Sequence, residues 1–185
     1  MTLFEYLSIA YSLVISFAAI RLVSGLPHAF DPSRGYFVHV LHVLLILFTT
    51  ASVFWNFWSF REVEWNFLRF LSALGDPALI YFLACTLIPD TPSAAESWRS
   101  YFYSVRKRYF GAIVIWAVVL TVNTTILLDL PFSHPVRGVH AFLLVFGALG
   151  LATDNPTSQG VIPIAALLAA VFMTFVTLLP GSLGA

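Results

Sequence analysis

Six long apolar runs, at residues 3–25, 36–60, 64–89, 109–130, 137–153 and 161–180, take up most of this chain and leave no polar stretch long enough to bury a water-soluble core. A helix needs about 20 residues to cross the ~30 Å hydrocarbon layer of a bilayer, so each run reads as one membrane span. Turn chemistry separates them: Gly25-Leu26-Pro27 onward to Gly35, Arg61-Glu62-Val63-Glu64, Pro89-Asp90-Thr91-Pro92, Leu130-Pro131 to Pro135, and Asp154-Asn155-Pro156. With 59% hydrophobic and 10% charged residues, the composition departs from the roughly 45–50% apolar and about 25% charged usage of soluble domains. The expected fold is an all-α integral membrane protein, one transmembrane domain over residues 1–185, built as a six-transmembrane-helix bundle. The fifth run is short and carries Gly147 and Gly150, so five spans with a re-entrant hairpin is the alternative.

The N-terminus, Met1-Thr2-Leu3-Phe4-Glu5, lacks the basic region and small-residue cleavage site of a signal peptide, so the first run is expected to be retained as a span. Cys85 is the only cysteine, which excludes disulfides, zinc ribbons and Cys-clustered iron–sulfur centres. Cytoplasmic loops retain positive charge. Arg21, Arg34, Arg99, Arg106, Lys107 and Arg108 fall on one side, against Arg61, Arg69 and Arg137 on the other. Both termini are therefore expected outside the cytoplasm. Most of that bias comes from the stretch Trp98 to Phe110, where rings and cations interleave. It suits an interfacial segment before the fourth span, with Arg99, Arg106, Lys107 and Arg108 as candidate contacts to lipid headgroups. Nucleic acid is not an expected partner. A second aromatic belt, Phe54, Trp55, Phe57, Trp58, Phe60 and Trp65, marks the turn between the second and third spans.

An ionisable group at mid-bilayer depth is expensive and is the default place to look for function. Asp76, flanked by Gly75 and Pro77, occupies that place in the third run. Polar residues follow single faces of the first three spans: Glu5, Ser8, Ser12 and Ser16; then His39, His42, Thr49, Ser52, Asn56 and Ser59; then Arg69, Ser72 and Asp76. These faces are expected to turn toward one another, making Asp76, His42, Arg69, His39, Asn56 and Glu5 the candidate intramembrane site. Arg69 and Asp76 lie about 10 Å apart along one helix, too far for a direct pair. Pro77 removes a backbone bond and is expected to kink the third helix, and an Asp76–His42 relay is the chemistry such a site offers. A hydrogen-bonded packing network is the competing explanation.

The two interhelical connectors that begin Leu26-Pro27-His28 and Leu130-Pro131 share a pattern, with Arg34-Gly35 and Val38-His39 in one matching Arg137-Gly138 and Val139-His140 in the other. Three spans separate the copies, which is the arrangement of two inverted three-helix repeats. A retinal Schiff base is excluded, because the single lysine, Lys107, sits among interfacial basic residues. Haem on His39 and His42 is disfavoured, since His140 falls near the opposite face. No arginine ladder of a voltage sensor, nucleophile elbow, phosphate loop or zinc-protease helix occurs. Asn123-Thr124-Thr125 matches a glycosylation acceptor but lies inside a span. No cofactor, metal or catalytic residue is expected.

The order Phe4-Glu5, a small-residue first helix, Trp55 and Trp58 ending the second, Pro77-Ala78-Leu79-Ile80-Tyr81 leading to Ile88-Pro89-Asp90, and Tyr101-Phe102 with Arg106-Lys107-Arg108 resembles a group of small bacterial multi-pass inner-membrane proteins. The resemblance covers the first two-thirds of the chain. It implies a bacterial inner-membrane location and brings no activity, cofactor or catalytic residue. Two functions fit these residues: transport of an ion, proton or small solute at a midplane site around Asp76, or a non-catalytic membrane subunit or scaffold binding a protein partner, lipid, quinone or pigment. Either is expected as a homo-oligomer or within a larger complex. A membrane enzyme ranks third, its acids and histidines being spread over both faces.

Overall fold

The structure, a computed structural model, describes residues 2–178. Six helices run α1 (Leu3–Ala29), α2 (Phe37–Asn56), α3 (Phe67–Leu87), α4 (Trp98–Ile126), α5 (Val136–Ala152) and α6 (Pro156–Leu178), with 3-10 turns at Phe57–Phe60 and Pro92–Ala94. The described residues contain no strand. Helices α1 to α4 are long and apolar enough to cross a membrane; α5 and the Pro156–Phe172 part of α6 are apolar but shorter. The last two residues of the expected sixth run, 179 and 180, lie outside the described residues.

Helix boundaries follow side-chain chemistry. Thr2 and Glu5 form a capping box at the start of α1, the Glu5 amide donating to Thr2 Oγ1 (3.2 Å) and the Thr2 amide to Glu5 Oε2 (2.8 Å). The expected turn at Gly25-Leu26-Pro27 is helical instead, and α1 runs on to Ala29. Pro27 falls in the last turns, where its missing N–H forfeits one bond only. Gly25 serves close approach rather than turning: a Cβ there would lie 2.5 Å from the Ile88 side chain. The chain reverses one turn later, where Asp31 accepts from the Ser33 amide (3.0 Å) and hydroxyl (2.6 Å). Asn66 caps α3 by accepting from the Arg69 amide (3.0 Å), and α3 continues through Pro77.

The stretch expected as an interfacial segment before the fourth span is continuous with α4 and forms its first three turns. Nothing between Trp98 and Ile126 breaks a helix, and Trp98, Phe102, Tyr109 and Phe110 are fully buried. Rings from these turns stack on His39 and His42 of α2, which holds the start of α4 against the bundle. Within α1, the residues Leu7, Tyr11, Ile15, Ala18 and Leu22 face the core while Tyr6, Ile9, Leu13, Phe17 and Ile20 are exposed, the three- and four-residue spacing of a helix with one buried stripe.

Consecutive helices are antiparallel, so the 57–66 and 127–135 connectors lie with the start of α1 at one end, and the 30–36, 88–97 and 153–155 connectors at the other. Helix α2 is central, packing on α1, α3 and α6, and α5 packs chiefly on α4. Helix α1 also packs extensively on α3, whereas α4 and α6 are not a close pair among the described residues. An inverted repeat would pair them alike, so the pairing does not follow the connector pattern.

Arginines tie helix ends and connectors together. Arg21 donates to the carbonyl of Ile88 (2.9 Å), the C-cap of α3, and to Asp90 (2.5 Å). Arg34 pairs with Asp31 (2.8 Å) and reaches the carbonyls of Ser93 (3.0 Å) and Ala95 (3.2 Å). Arg137 reaches the carbonyls of Thr121 (3.1 Å) and Leu130 (2.6 Å) and the hydroxyls of Thr124 (2.7 Å) and Thr125 (2.9 Å) at the end of α4. Cations at helix C-termini complement both the orphan carbonyls and the negative end of the dipole.

Candidate functional site

Asp76 sits at the middle of α3 and is 3% exposed. Its Oδ2 accepts from Asn123 Nδ2 on α4 (3.2 Å), while Oδ1 is buried with no hydrogen-bond partner. The same Asn123 amide donates to the Ser72 carbonyl (3.0 Å), and Ser72 Oγ donates back to Asn123 Oδ1 (2.5 Å). A bulkier small residue at Gly75 would press on Val119 of α4 at 3.3 Å, so α3 and α4 meet closely beside this network. Toward the α1-start end it is covered by an apolar plug of Tyr11, Phe57, Phe60, Ala73 and Leu127, with Tyr11 stacked on Phe57 at 3.9 Å. Tyr11 lies within electrostatic reach of Asp76. In sequence terms Asn123 is the residue missed: it stands inside an apolar run, and its polar neighbours Thr121, Thr124 and Thr125 gave the only signal.

The other residues of the expected site are dispersed. His42 Nδ1 lies 3.1 Å from Tyr109 Oη, and its ring stacks on Phe102 at 5.1 Å. His39 stacks on Trp98 at 4.6 Å, with neither ring nitrogen partnered. Both histidines thus belong to an aromatic layer between α2 and α4, toward the end that holds the 30–36 connector, and the structure gives His42 no bond to Asp76. Arg69 turns away from Asp76 to donate to the Glu64 carbonyl (2.6 Å). Asn56 is exposed and bonds back to the Ser52 carbonyl (2.8 Å). Glu5 belongs to the α1 cap. Arg106, grouped by sequence with Arg99, Lys107 and Arg108, is set apart from them. It is 3% exposed and donates to the carbonyls of Gly150 (2.6 Å), Leu151 (3.4 Å) and Thr153 while pairing with Asp154. Arg99, Lys107 and Arg108 are exposed. His140 bonds with Thr121 (3.1 Å) near Arg137, at the opposite end from His39 and His42. Among the described residues no group of three or more His, Cys, Asp or Glu could hold a metal ion.

The α1 polar stripe does not face Asp76. Ser8, Ser12 and Ser16 line a lateral groove between α1 and α2, formed by two hollows of about 290 and 630 Å³ that share Ser12 and Phe54. Ala19, Leu47, Thr50 and Ala51 floor one half, and Phe4, Glu5, Trp55 and Trp58 wall the other. Ser8 satisfies its hydroxyl on the Phe4 carbonyl (2.7 Å), as threonines and serines in apolar surroundings commonly do. The polar groups that sequence spacing placed on one face are therefore divided between a sealed α3–α4 contact and a groove open to the side of the bundle. Comparison of the chain with family models, curated proteins and solved structures finds no match.

Proposed function

We propose that the chain is a non-catalytic scaffold of the bacterial inner membrane, with all six helices embedded and both termini outside the cytoplasm, and that copies of it associate through the α1–α2 face. The observation that carries this reading is the lateral groove. Its floor follows the spacing Ser8, Ser12, Ser16 and Ala19 along α1, and small residues four apart let helix backbones approach closely in lipid, where van der Waals packing drives association. Beside this floor α1 presents an exposed ridge of Ile9, Leu13, Phe17 and Ile20. A ridge next to a groove on the same helix is self-complementary about a two-fold axis, each copy filling the other. Arg99, Lys107 and Arg108 serve in this reading as contacts to anionic headgroups. The replacement Ser12→Phe fills the groove; purified variant protein should run at monomer mass in light scattering where the wild-type chain runs as a dimer, and equal masses would remove this reading.

Transport at Asp76 is the second reading, favoured by one observation, the unpartnered Oδ1. Proteoliposome flux abolished by Asp76→Asn would establish it, and unaltered flux would dismiss it.

A further inference from the structure

Near the centre of α3, one turn of helix holds a buried carboxylate oxygen and a carbonyl whose usual backbone donor is a proline. Asp76 Oδ1 is buried without a partner. One turn earlier, Ala73 is 2% exposed, and its carbonyl is the one that Pro77, lacking an N–H, leaves without its helical donor. A carboxylate oxygen brought near a carbonyl oxygen is repelled by it, and an uncompensated charge in an apolar interior is costly. A side chain can reach the carbonyl three or four residues before it, so a single proton on Oδ1 would turn both orphans into one hydrogen bond.

We propose that Asp76 is a proton-binding site, its Oδ1–H donating to the Ala73 carbonyl while Oδ2 accepts from Asn123. The O–H bond forms with a proton taken from the aqueous phase and breaks by returning it there, and no other reactant is involved. Among the described residues, its hydrogen-bond partner on α4 is the neutral amide of Asn123, and the cluster that holds the neighbouring Ala73 contains Phe57 and Phe60 from the 57–60 turn with Val53 of α2 packed on it, all uncharged. On α1, Tyr11 is the titratable neighbour, and Arg69, on α3 itself, is committed to the Glu64 carbonyl. This site stands whether or not copies associate through the α1–α2 face, since neither Asp76, Ala73 nor Asn123 lines the groove.

Infrared difference spectroscopy of the purified full chain in lipid tests it. A protonated-carboxyl C=O stretch is expected at neutral pH, shifted down in D2O because the proton exchanges, and lost in Asp76→Asn. Should Asp76→Asn fail to fold, Pro77→Ala provides an independent arm: it restores an N–H to the Ala73 carbonyl, takes away the acceptor, and should move the same band to the higher frequency of a weakly bonded carboxyl. Absence of the band in the wild-type chain, its survival in Asp76→Asn, or its indifference to Pro77→Ala would overturn the proposal. So would stabilisation by sodium chloride over choline chloride that Asp76→Asn removes, because that dependence marks a carboxylate holding a metal cation.

Discussion

The Asn123 side chain gives two hydrogen bonds and takes one, joining the Ser72 carbonyl, the Ser72 hydroxyl and one Asp76 oxygen across α3 and α4. Replacing it by leucine keeps the volume and strips Asp76 of its donor. Leaving a buried acceptor unsatisfied costs about 1–3 kcal/mol, so Asn123→Leu should unfold at clearly lower SDS fraction in mixed micelles. Ser72→Ala, which removes one interhelical bond of the kind that averages about 0.6 kcal/mol, should cost much less. A costlier Ser72→Ala than Asn123→Leu would show that the amide is not the hub. Asp76 itself was legible in the sequence, because a carboxylate among apolar residues needs no partner to be noticed. Its partner was not: Asn123 is 47 positions away on another helix, and no local spacing encodes that meeting. Arg106 was misread for the opposite reason. Its sequence neighbours are basic like itself, and only the helical phase that aligns it with Trp98, Phe102 and Tyr109 on the buried face distinguishes it.

Between elements, α4 and α5 approach closely at two glycines of α5. A Cβ at Gly147 would stand 2.6 Å from a Val114 methyl and 3.2 Å from the Phe110 carbonyl, and the backbone atom cannot swing aside. Overpacking of this kind costs about 1–3 kcal/mol, so Gly147→Ala should lower the thermal midpoint, whereas at Gly138, where a Cβ meets nothing within 4 Å, the same change should be nearly neutral. Arg106 fastens the C-terminal end of α5, and hydrogen bonds to charged groups contribute about 1.5–3 kcal/mol. Arg106→Met should therefore raise amide hydrogen exchange over residues 150–159 while leaving α1–α3 protected; uniform exchange along the chain would contradict a local role. The α1–α2 connector carries its own pH response. The Ser33 hydroxyl, then Arg34 and the Ser33 amide, hold the Asp31 carboxyl down at about 2 against an ordinary 3.8. A depressed carboxylate stabilises the fold above its unfolded value and ceases to as pH falls through its folded value. The connector should thus be intact at neutral pH and loosen between 3.8 and about 2. Trp98, whose indole donates to the His28 carbonyl nearby (2.7 Å), reports this by fluorescence, and Asp31→Asn should remove the acid step.

For the whole molecule, composition was enough to locate the long apolar helices, since hydrocarbon-length runs leave few alternatives. Where α1 ends and where α4 begins was not legible. Pro27 and the basic residues around Arg106 are ordinary boundary signals, and tertiary packing of Gly25 on Ile88 and of Trp98 on His39 overrides them. The assignment of faces failed similarly, for a helical stripe shows which residues point together but not whether they meet a neighbouring helix or the bilayer. That distinction decides the proposed function. The most direct measurement is disulfide cross-linking of Ser12→Cys in a Cys85→Ala background, in native-composition membranes with the purified chain as the only protein. A covalent dimer at Ser12, and none for Ser104→Cys on the exposed start of α4, is the predicted result; cross-linking that is absent at Ser12, or equal at both positions, would contradict association through the α1–α2 groove.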